Sequence, residues 1–301
     1  MKGFYPAVFI RGLAMGAADV VPGVSGGTIA FITGIYDELI ESLKSCNIQA
    51  LQLLFQSGPT AFWQHINGGF LMSLLLGIAT SVLSLARFIS YALHHHPVPL
   101  AALFFGLILA SAVLVYRQIP GAGRQIGWLL FGIGFALLIG EFRPADIAST
   151  PLNLFLSGAL AICAMILPGI SGSFILLLLG MYQPVIEAVK SMDILALLSF
   201  MAGCGVGLML FVRLLSWLMH HFRAQLLAGL SGLLIGSLSI IWPWKLDAAG
   251  GILAESLAPG WQNVLPWQYA VEGDPQLLFS LALALVGGVL VLLIERFAKK
   301  A

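Results

Sequence analysis

Between two apolar runs lies Pro22-Gly23-Val24-Ser25-Gly26-Gly27-Thr28, and the pattern returns 146 residues later as Pro168-Gly169-Ile170-Ser171-Gly172-Ser173-Phe174. We call the first copy motif A and the second motif B. The match continues beyond the motifs at the same offset, in the pairs Gly34 with Gly180, Tyr36 with Tyr182, Glu41 with Glu187, and Lys44 with Lys190. A series of this length indicates an internal repeat that contains both motifs.

Both motifs have the composition of a break between two helices. Proline ends the preceding helix, the glycines allow positive φ, and the Ser and Thr hydroxyls suit the cap of the next helix. A helix start of this kind offers unpaired backbone N–H groups to an anion. One such motif alone indicates a turn between buried helices. Gly/Pro-interrupted segments that are paired between two halves are typical of a transport site.

The composition predicts a polytopic membrane protein. Of the 301 residues, 59% are hydrophobic and 9% are charged, and the mean hydropathy is +0.99. At about 20 apolar residues per span, this length holds about ten membrane segments in a single transmembrane domain, residues 1–301. A formal net charge of +1 gives no basic surface for nucleic acid. The sequence has no P-loop pattern for ATP, and we predict no cofactor.

The apolar segments predict an all-α fold of two five-segment repeats, about 4–142 and about 152–297. The segments lie at 4–21, 24–43, 69–93, 98–116 and 125–142, and then at 152–167, 171–189, 195–219, 225–241 and 276–297. Later in each repeat the offset falls to 126, because the first half has extra residues between its second and third segments. At this offset Gly77 matches Gly203, Arg87 matches Arg213, and His94-His95 matches His220-His221.

An odd number of segments per repeat gives the two halves opposite orientations in the membrane, which is an inverted repeat. With the N-terminus inside, seven basic residues lie on the cytoplasmic side, namely Lys2, Lys44, Arg117, Arg124, Arg223, Lys299 and Lys300. Three lie outside, namely Arg143, Lys190 and Lys245. The positive-inside rule therefore predicts cytoplasmic N- and C-termini.

The segments that carry the motifs, 4–43 and 152–190, can each cross the membrane twice or form a hairpin that enters and returns. The charge count is the same for both arrangements. We favour the re-entrant hairpin, because irregular backbone at membrane depth is tolerated where it lines a cavity.

Two long connections interrupt the repeat. Residues 46–66 contain Leu51, Leu54, Phe55 and Trp63 among polar residues, which is typical of a short helix on the cytoplasmic membrane interface. The outer connection, about 243–275, begins after Trp242 and contains Trp244, Trp261 and Trp267. Such aromatic residues lie at the level of the lipid headgroups, where they shape an outer opening or only cover the interface.

Two arginines in membrane segments are candidates for binding an anion, because charge inside the bilayer is costly and is retained for function. Arg87 and Arg213 occupy the same repeat position, each ahead of a His pair. Arginine presents a planar fork of donors that suits phosphate, and the two side chains can reach one anion from opposite sides. In the alternative, each arginine extends to the nearer headgroup layer.

Three acidic residues are candidates for a proton-coupled step: Asp19, Glu41 and Glu187. Asp19 can instead form a structural pair with Arg11. Glu41 and Glu187 each precede a lysine by three residues, so exposed ion pairs with Lys44 and Lys190 explain them equally well.

Histidine and cysteine do not predict a metal site. His94-His95-His96 and His220-His221 can titrate near neutral pH, but adjacent histidines on a helix do not share one face. The three cysteines, Cys46, Cys163 and Cys204, form no CxxC pair. We expect small apolar packing for the cysteines and no bound metal.

Residues 12–42, GLAMGAADVVPGVSGGTIAFITGIYDELIES, and residues 167–174, LPGISGSF, closely resemble a bacterial membrane family once of unknown function. That family is now associated with undecaprenyl-phosphate translocation, under the name PopT. The resemblance covers essentially the whole chain. It implies a flippase that returns the phosphate headgroup of the lipid carrier from the outer to the inner leaflet, for reuse in envelope glycan assembly.

The resemblance also implies which residues bind the phosphate of this polyprenyl lipid. The role carries over to Ser25, Gly26, Gly27, Thr28, Ser171, Gly172 and Ser173. Phe174 replaces the threonine of motif A, so the two halves are not expected to contribute equally. The sequence leaves open the energy source, which is ion coupling or none, and whether the protein forms a homodimer.

Two alternatives differ in the reaction or in the substrate. Undecaprenyl-pyrophosphate phosphatases also have inverted repeats and a Pro-Gly-x-Ser-Arg-Ser motif in which the arginine contacts phosphate. Gly26 and Gly172 stand where that arginine would be, so phosphoryl transfer would lack its electrostatic stabiliser, and we predict that the protein is not an enzyme. A transporter of another small or lipid anion remains the second alternative.

Overall fold

The computed structural model describes residues 4–19, 25–117, 119, 121–141, 147–246, 251 and 261–298. Its described part is largely helical, as predicted. The helices of the first half are α1 (Pro6–Asp19), α2 (Gly26–Ile32), α3 (Tyr36–Ser45), α4 (Ile48–Ser57), α5 (Pro59–His65), α6 (Gly68–His95), α7 (Pro97–Arg117) and α8 (Ile126–Glu141). A 3-10 turn, Ala122–Gln125, precedes α8.

The second half begins with a similar succession of helix lengths. Its helices are α9 (Pro151–Ile166), α10 (Gly172–Leu178), α11 (Tyr182–Ser191), α12 (Ile194–His221), α13 (Arg223–Ser237), α14 (Pro266–Tyr269) and α15 (Leu277–Ala298). Between α13 and α14 the strands β1 (Lys245–Leu246) and β2 (Gln262–Asn263) pair antiparallel. Trp244 and Tyr269 form a small buried cluster with Val98 beside this pair, so the connection between α13 and α14 has a core of its own.

Two predicted segments are broken, which corrects the sequence analysis. Segment 24–43 is divided into α2 and α3, and segment 171–189 is divided into α10 and α11. The chain bends by 105° between α10 and α11. Both breaks follow the same pattern: Gly34 and Gly180 have φ of 72° and 67°, and the next N–H bonds a carbonyl five residues back. This geometry is the Schellman helix end, for which glycine is preferred. Seven-residue helices such as α2 and α10 are too short to cross a bilayer.

By length and composition, three helices in the described ranges can cross a membrane: α7, α8 with its preceding turn, and α12. The number rises to five if each bent helix pair counts as one span. The fold is thus that of an all-α membrane protein, and ten segments stay a prediction. Residues 46–66 contain two short helices where one was expected, because Gly58, with φ of 84°, and Pro59 separate α4 from α5. Their position on the cytoplasmic interface stays a prediction.

Helix packing recurs between the halves at the offsets of the sequence repeat. In the first half α1 packs along α6, and a Cβ on Gly12 would collide with the carbonyl of Leu74. In the second half α9 packs along α12, and Gly158 stands in the same relation to Phe200. The glycines let the helix backbones approach closely, as small residues do in membrane helix pairs.

The remaining long helices pair across the halves. The helix of the fourth segment of one half packs against the last helix of the other, in the pairs α7 with α15 and α13 with α8. Gly106 faces the carbonyl of Ala284 in the first pair, and Gly232 faces that of Leu129 in the second. The halves are therefore interlocked, and their common core encloses the short helix α2.

Candidate functional site

The two motifs touch each other in the centre of the protein. The Ser25 hydroxyl donates to the carbonyl of Met165 over 2.8 Å, and the Gly169 N–H donates to Thr28 Oγ1 over 2.9 Å. The Tyr36 hydroxyl donates to the carbonyl of Ile166 over 3.3 Å. We call this contact, between residues 25–28 and residues 165–169, the motif crossing. Repeat matching predicted equivalent positions for the motifs but not that they would bind each other.

The N–H groups at the start of α2 have acceptors within the chain. Gly26 N–H donates to Asp19 Oδ1 over 2.6 Å, and Gly27 N–H to the Ser25 hydroxyl over 3.1 Å. Thr28 N–H donates to the Ser25 carbonyl over 2.9 Å. The unpaired donors expected from the sequence are thus paired in this conformation, and the carboxylate of Asp19 is the anion at this helix start. Pro22, Gly23 and Val24 lie outside the described residues.

Asp19 does not pair with Arg11, since no ion pair joins them although both lie within the described residues. The predicted structural pair of Asp19 with Arg11 is therefore wrong. The carboxylate binds the next helix instead. This contact brings the end of α1 to the start of α2 across the residues that link them.

Motif B makes different contacts at the matching positions. Ser171 shares a 2.7 Å hydrogen bond with Ser173, and its side chain caps no N–H of α10. Phe174, which replaces the threonine, is buried with its ring 6.2 Å from that of Trp261. The reciprocal of the Thr28 hydrogen bond is therefore missing, because phenylalanine has no hydroxyl.

Close approach explains the motif glycines better than backbone conformation does. A Cβ on Gly26 would lie 2.6 Å from Asp19 Oδ2, and one on Gly27 would lie 2.5 Å from the carbonyl oxygen of Ile166. A Cβ on Gly172 would lie 2.8 Å from the carbonyl oxygen of Ala161. Among the described motif residues, positive φ occurs at Gly169, at 90°. Three glycines thus admit neighbouring groups rather than unusual φ angles.

The arginines do not join the motif crossing. Arg213 is exposed on α12 and forms no hydrogen bond or ion pair with a described residue. Arg87 lies within α6, but its side chain is outside the described part of the structure. The exposed position of Arg213 agrees with the alternative in which the side chain extends toward headgroups.

Glu41 belongs to a polar cluster between α3 and α12 that the sequence analysis did not predict. Lys44 Nζ lies 3.3 Å from Glu41 Oε2, which confirms the expected i,i+3 pair. The same Nζ donates to the hydroxyl of Ser216 over 2.8 Å, and that hydroxyl donates to Glu41 over 2.5 Å. We call these three residues the α3–α12 cluster. Ser216 is fully buried, so it anchors the exposed ion pair to the protein.

Glu187 lacks the corresponding interactions. It is exposed on α11, and no ion pair with Lys190 forms within the described residues. Asp37, on the first-half helix α3, pairs with Arg223 at 2.7 Å. The three acidic candidates of the sequence analysis therefore do not form one site. These candidates are Asp19, Glu41 and Glu187.

Lys245 is a buried cation that charge counting alone could not identify. Its Nζ donates to the carbonyl of Ile240 and lies 4.9 Å from the centre of the Trp261 ring. Burial lowers the pKa of Lys245 to about 8, because it disfavours the charged form. Trp261 also faces Phe174, so a single aromatic ring separates Lys245 from motif B.

An apolar groove of about 450 Å³ opens between α8, α12 and α13, and Leu167, the residue before motif B, lines it. The motif crossing and this groove indicate the class of protein. The protein is an all-α membrane protein whose two repeated, broken helices meet at its centre, as the helices of transporters do.

The chain belongs to the undecaprenyl phosphate translocase-like family, whose model matches residues 15–255. It is 46% identical to a polyprenyl-phosphate transporter of Vibrio cholerae over 301 residues, 98% of each chain. It is also 28% identical over 262 residues to a polyprenyl-phosphate transporter of Staphylococcus aureus, covering 81% of this chain and 88% of that one. No solved structure matches the chain. The family resemblance is confirmed, and these names indicate a transporter and not an enzyme.

Proposed function

We propose that this protein moves undecaprenyl phosphate across the bacterial cytoplasmic membrane, returning the phosphate headgroup from the outer to the inner leaflet. The observation that carries the proposal is the motif crossing, where two Gly/Pro-interrupted helices from opposite halves bind each other in the core. Transport sites form at such places. The substrate class follows from the family and from the two relatives named for polyprenyl phosphate.

The headgroup site we propose is the motif crossing together with the start of α10, and its seven contributing residues are Ser25, Gly26, Gly27, Thr28, Ser171, Gly172 and Ser173. The Gly26 N–H holds the carboxylate of Asp19 at 2.6 Å, so this place already accommodates an anionic oxygen. Phosphate oxygens and the carboxylate are alternative acceptors for that donor. The headgroup therefore binds when Asp19 leaves, and protonation of Asp19 favours its leaving.

Arg87 and Arg213 have a separate role in this proposal, at the membrane surfaces. They lie at matching repeat positions on α6 and α12, and Arg213 is exposed. A guanidinium near the headgroup layer attracts phosphate before the phosphate reaches the core. In an inverted repeat the two arginines serve opposite leaflets.

The inverted repeat is itself part of the proposal, within a single domain of residues 1–301. The recurring contacts support it, because Gly12 with Leu74 and Gly158 with Phe200 match at both repeat offsets. The ion pair of Arg223 with Asp37 supports the charge assignment, since Arg223 and the α3 residue Lys44 were both counted as cytoplasmic. Both termini then lie in the cytoplasm.

Purified protein in proteoliposomes tests the function. The measurement is loss of externally accessible undecaprenyl phosphate, with and without an imposed pH gradient. We expect faster loss than in protein-free vesicles, and acceleration by the gradient in the wild type but not in Asp19→Asn, since asparagine cannot release a proton. Arg87→Gln and Arg213→Gln should each slow transport.

Asp193→Asn is the matched control. Asp193 caps α12 by accepting from Ala196 N–H over 3.1 Å, and asparagine caps a helix equally well. This variant should keep the response to the gradient. Loss of lipid no faster than in empty vesicles would refute the proposed function. A full gradient response in Asp19→Asn would remove Asp19 from the proton step while leaving the substrate assignment intact.

A further inference from the structure

The apolar groove noted above has two continuous walls. One wall consists of Trp128, Phe131 and Phe135 on α8, whose successive ring centres are 6.1 and 6.2 Å apart. The opposite wall includes Leu226 and Leu230 on α13. We call this feature the α8–α13 groove. The three aromatic residues are 42–63% exposed, so the wall of the groove is an accessible apolar surface.

The end of the groove that lies toward the core of the protein reaches the motif crossing. Leu167 and Leu233 line that end, and Leu167 directly precedes the proline of motif B. A Cβ on Gly169 would lie 3.1 Å from the carbonyl oxygen of Leu233, so motif B rests against the groove wall. The N–H of Gly169 is the group that binds Thr28. Apolar groove and polar crossing are therefore neighbours within one or two residues.

The other end of the groove is near a charged group. Phe222 and Gln225 line it there, and Arg223, between them in sequence, pairs with Asp37 at 2.7 Å. Gln225 is the single polar side chain among the lining residues, all of which are described. The groove thus connects a polar surface with the motif crossing through an apolar channel.

We propose that the α8–α13 groove binds the isoprenoid chain of the polyprenyl phosphate. It holds the end of the chain that is joined to the phosphate. This inference rests on the proposed function and specifies the second half of its site. A polyprenyl phosphate has one apolar chain joined directly to its phosphate, which suits one groove that ends at one polar site. A volume of about 450 Å³ holds the first few isoprene units. The rest of the chain lies in the bilayer.

A phospholipid fits this arrangement less well. Its two acyl chains leave a glycerol backbone side by side, and the glycerol separates both chains from the phosphate. One chain in the groove would leave the second without a groove and keep the phosphate away from the crossing. The geometry therefore favours a single-chain lipid phosphate over the bulk membrane lipids.

Filling the groove tests the assignment. Gly229 lines the groove, and the nearest atom to a Cβ at this position would be the Trp128 carbonyl oxygen, 3.9 Å away, so Gly229→Phe has room for its first atoms and projects a ring. Gly134→Phe is the matched control, because Gly134 lies on α8 outside the groove with no atom within 4 Å. The probes are undecaprenyl phosphate, farnesyl phosphate and inorganic phosphate, with the protein in nanodiscs.

We expect Gly229→Phe to weaken binding of both prenyl phosphates by about tenfold or more, since each buried methylene contributes a factor of about four. Binding of inorganic phosphate should not change, and Gly134→Phe should resemble the wild type with all probes. Phe131→Ala, which widens the groove, is a second variant if Gly229→Phe does not fold. It should weaken farnesyl phosphate binding by about fivefold or more.

Three outcomes would overturn the inference. Unchanged prenyl phosphate binding in folded Gly229→Phe would show that the chain lies elsewhere. Equal weakening of all three probes would indicate a distorted site rather than a filled groove. Displacement of farnesyl phosphate by phosphatidylglycerol as effective as by undecaprenyl phosphate would make the groove a general lipid contact. If the wild type binds and transports no polyprenyl phosphate at all, the proposed function fails first.

Discussion

Motif A binds an anionic side chain of the same protein, the carboxylate of Asp19. The carboxylate of Asp19 occupies Gly26 N–H at 2.6 Å, while Ser25 accepts from Gly27 and donates to Met165. A partly buried charge of this kind needs its hydrogen bond, so Asp19 leaves at little cost only if another anion replaces it or a proton neutralises it. Substrate binding and proton uptake are then two ways to open the same contact.

The close approach at Gly27 gives a test at this scale. A methyl group in Gly27→Ala would lie 2.5 Å from the carbonyl oxygen of Ile166, and a backbone oxygen cannot rotate away as a side chain can. Helix α2 must therefore shift away from the end of α9. We expect a loss of about 1–3 kcal/mol in stability, as overpacked cores show, together with a loss of transport. Thermal unfolding of the purified protein measures the first effect.

Gly205→Ala is the control for this substitution. Gly205 lies in α12 with no atom near an added Cβ, so alanine should be neutral or stabilise the helix by up to about 1 kcal/mol. Normal unfolding and transport in Gly27→Ala would mean that the contact between the motifs is not required.

The sequence predicted the polar character of the motifs but not the partners of their side chains. Ser25 was expected to cap a helix, and it does so through Gly27. Its second bond, to Met165, is 140 residues distant in sequence. Local turn chemistry contains the information for a cap, whereas a contact over that distance depends on how all the helices pack. The Asp19 contact was missed for a related reason, since a carboxylate has many candidate partners.

Among the structural elements, the long helices and the breaks at the two motifs were predicted, and the breaks at Gly34 and Gly180 were not. Long apolar runs set the predicted segments, and apolar residues continue across both breaks. The informative signal was the glycine at 34 and at 180, which takes the left-handed conformation that ends α2 and α10. A glycine within an apolar run is also common in continuous membrane helices, so this signal alone does not identify a helix end.

The α3–α12 cluster gives a prediction about how one element is attached. Ser216 is buried and binds both members of the Lys44–Glu41 pair, whose side chains are 41% and 48% exposed. An exposed ion pair alone is worth at most about 1 kcal/mol. We therefore expect Ser216→Ala and Glu41→Gln to be coupled, with an interaction energy of about 0.5 kcal/mol or more in a double-mutant cycle of thermal unfolding.

Glu187→Gln serves as the comparison, because Glu187 is the repeat counterpart of Glu41 and has no ion pair within the described residues. Its effect should add to that of Ser216→Ala without coupling. Independent effects of Glu41→Gln and Ser216→Ala would show that the cluster does not hold α3 against α12.

In the whole molecule, the interlocked pairing of the halves limits how transport can occur. Helix α7 packs on α15 and α8 on α13, with glycines too close to opposing carbonyls to allow even a Cβ. Rocking one half as a rigid body against the other would separate both pairs. The broken helices around the motif crossing have shorter packed surfaces, so they are the elements that can move at lower cost. The repeat was readable from sequence, but this exchange of helices was not, because pairing between distant helices leaves no periodic pattern.

The orientation of the whole molecule is tested by cysteine accessibility in intact cells, after replacement of Cys46, Cys163 and Cys204. Glu272 follows α14 and is exposed, and Gly123 lies exposed in the turn before α8. The inverted repeat puts the first position outside and the second inside. An impermeant maleimide should label Glu272→Cys directly and Gly123→Cys only after permeabilisation.

Gln56→Cys supplies an independent reference for the cytoplasmic side, because Gln56 is exposed on α4, in the connection assigned to the inner surface. It should behave like Gly123→Cys. Labelling of Gly123→Cys and Glu272→Cys from one side would require an even number of crossings between them, and two odd repeats cannot supply that number. The halves would then be parallel, and the motifs would approach the crossing from the same leaflet, which would leave the second leaflet without its own arginine.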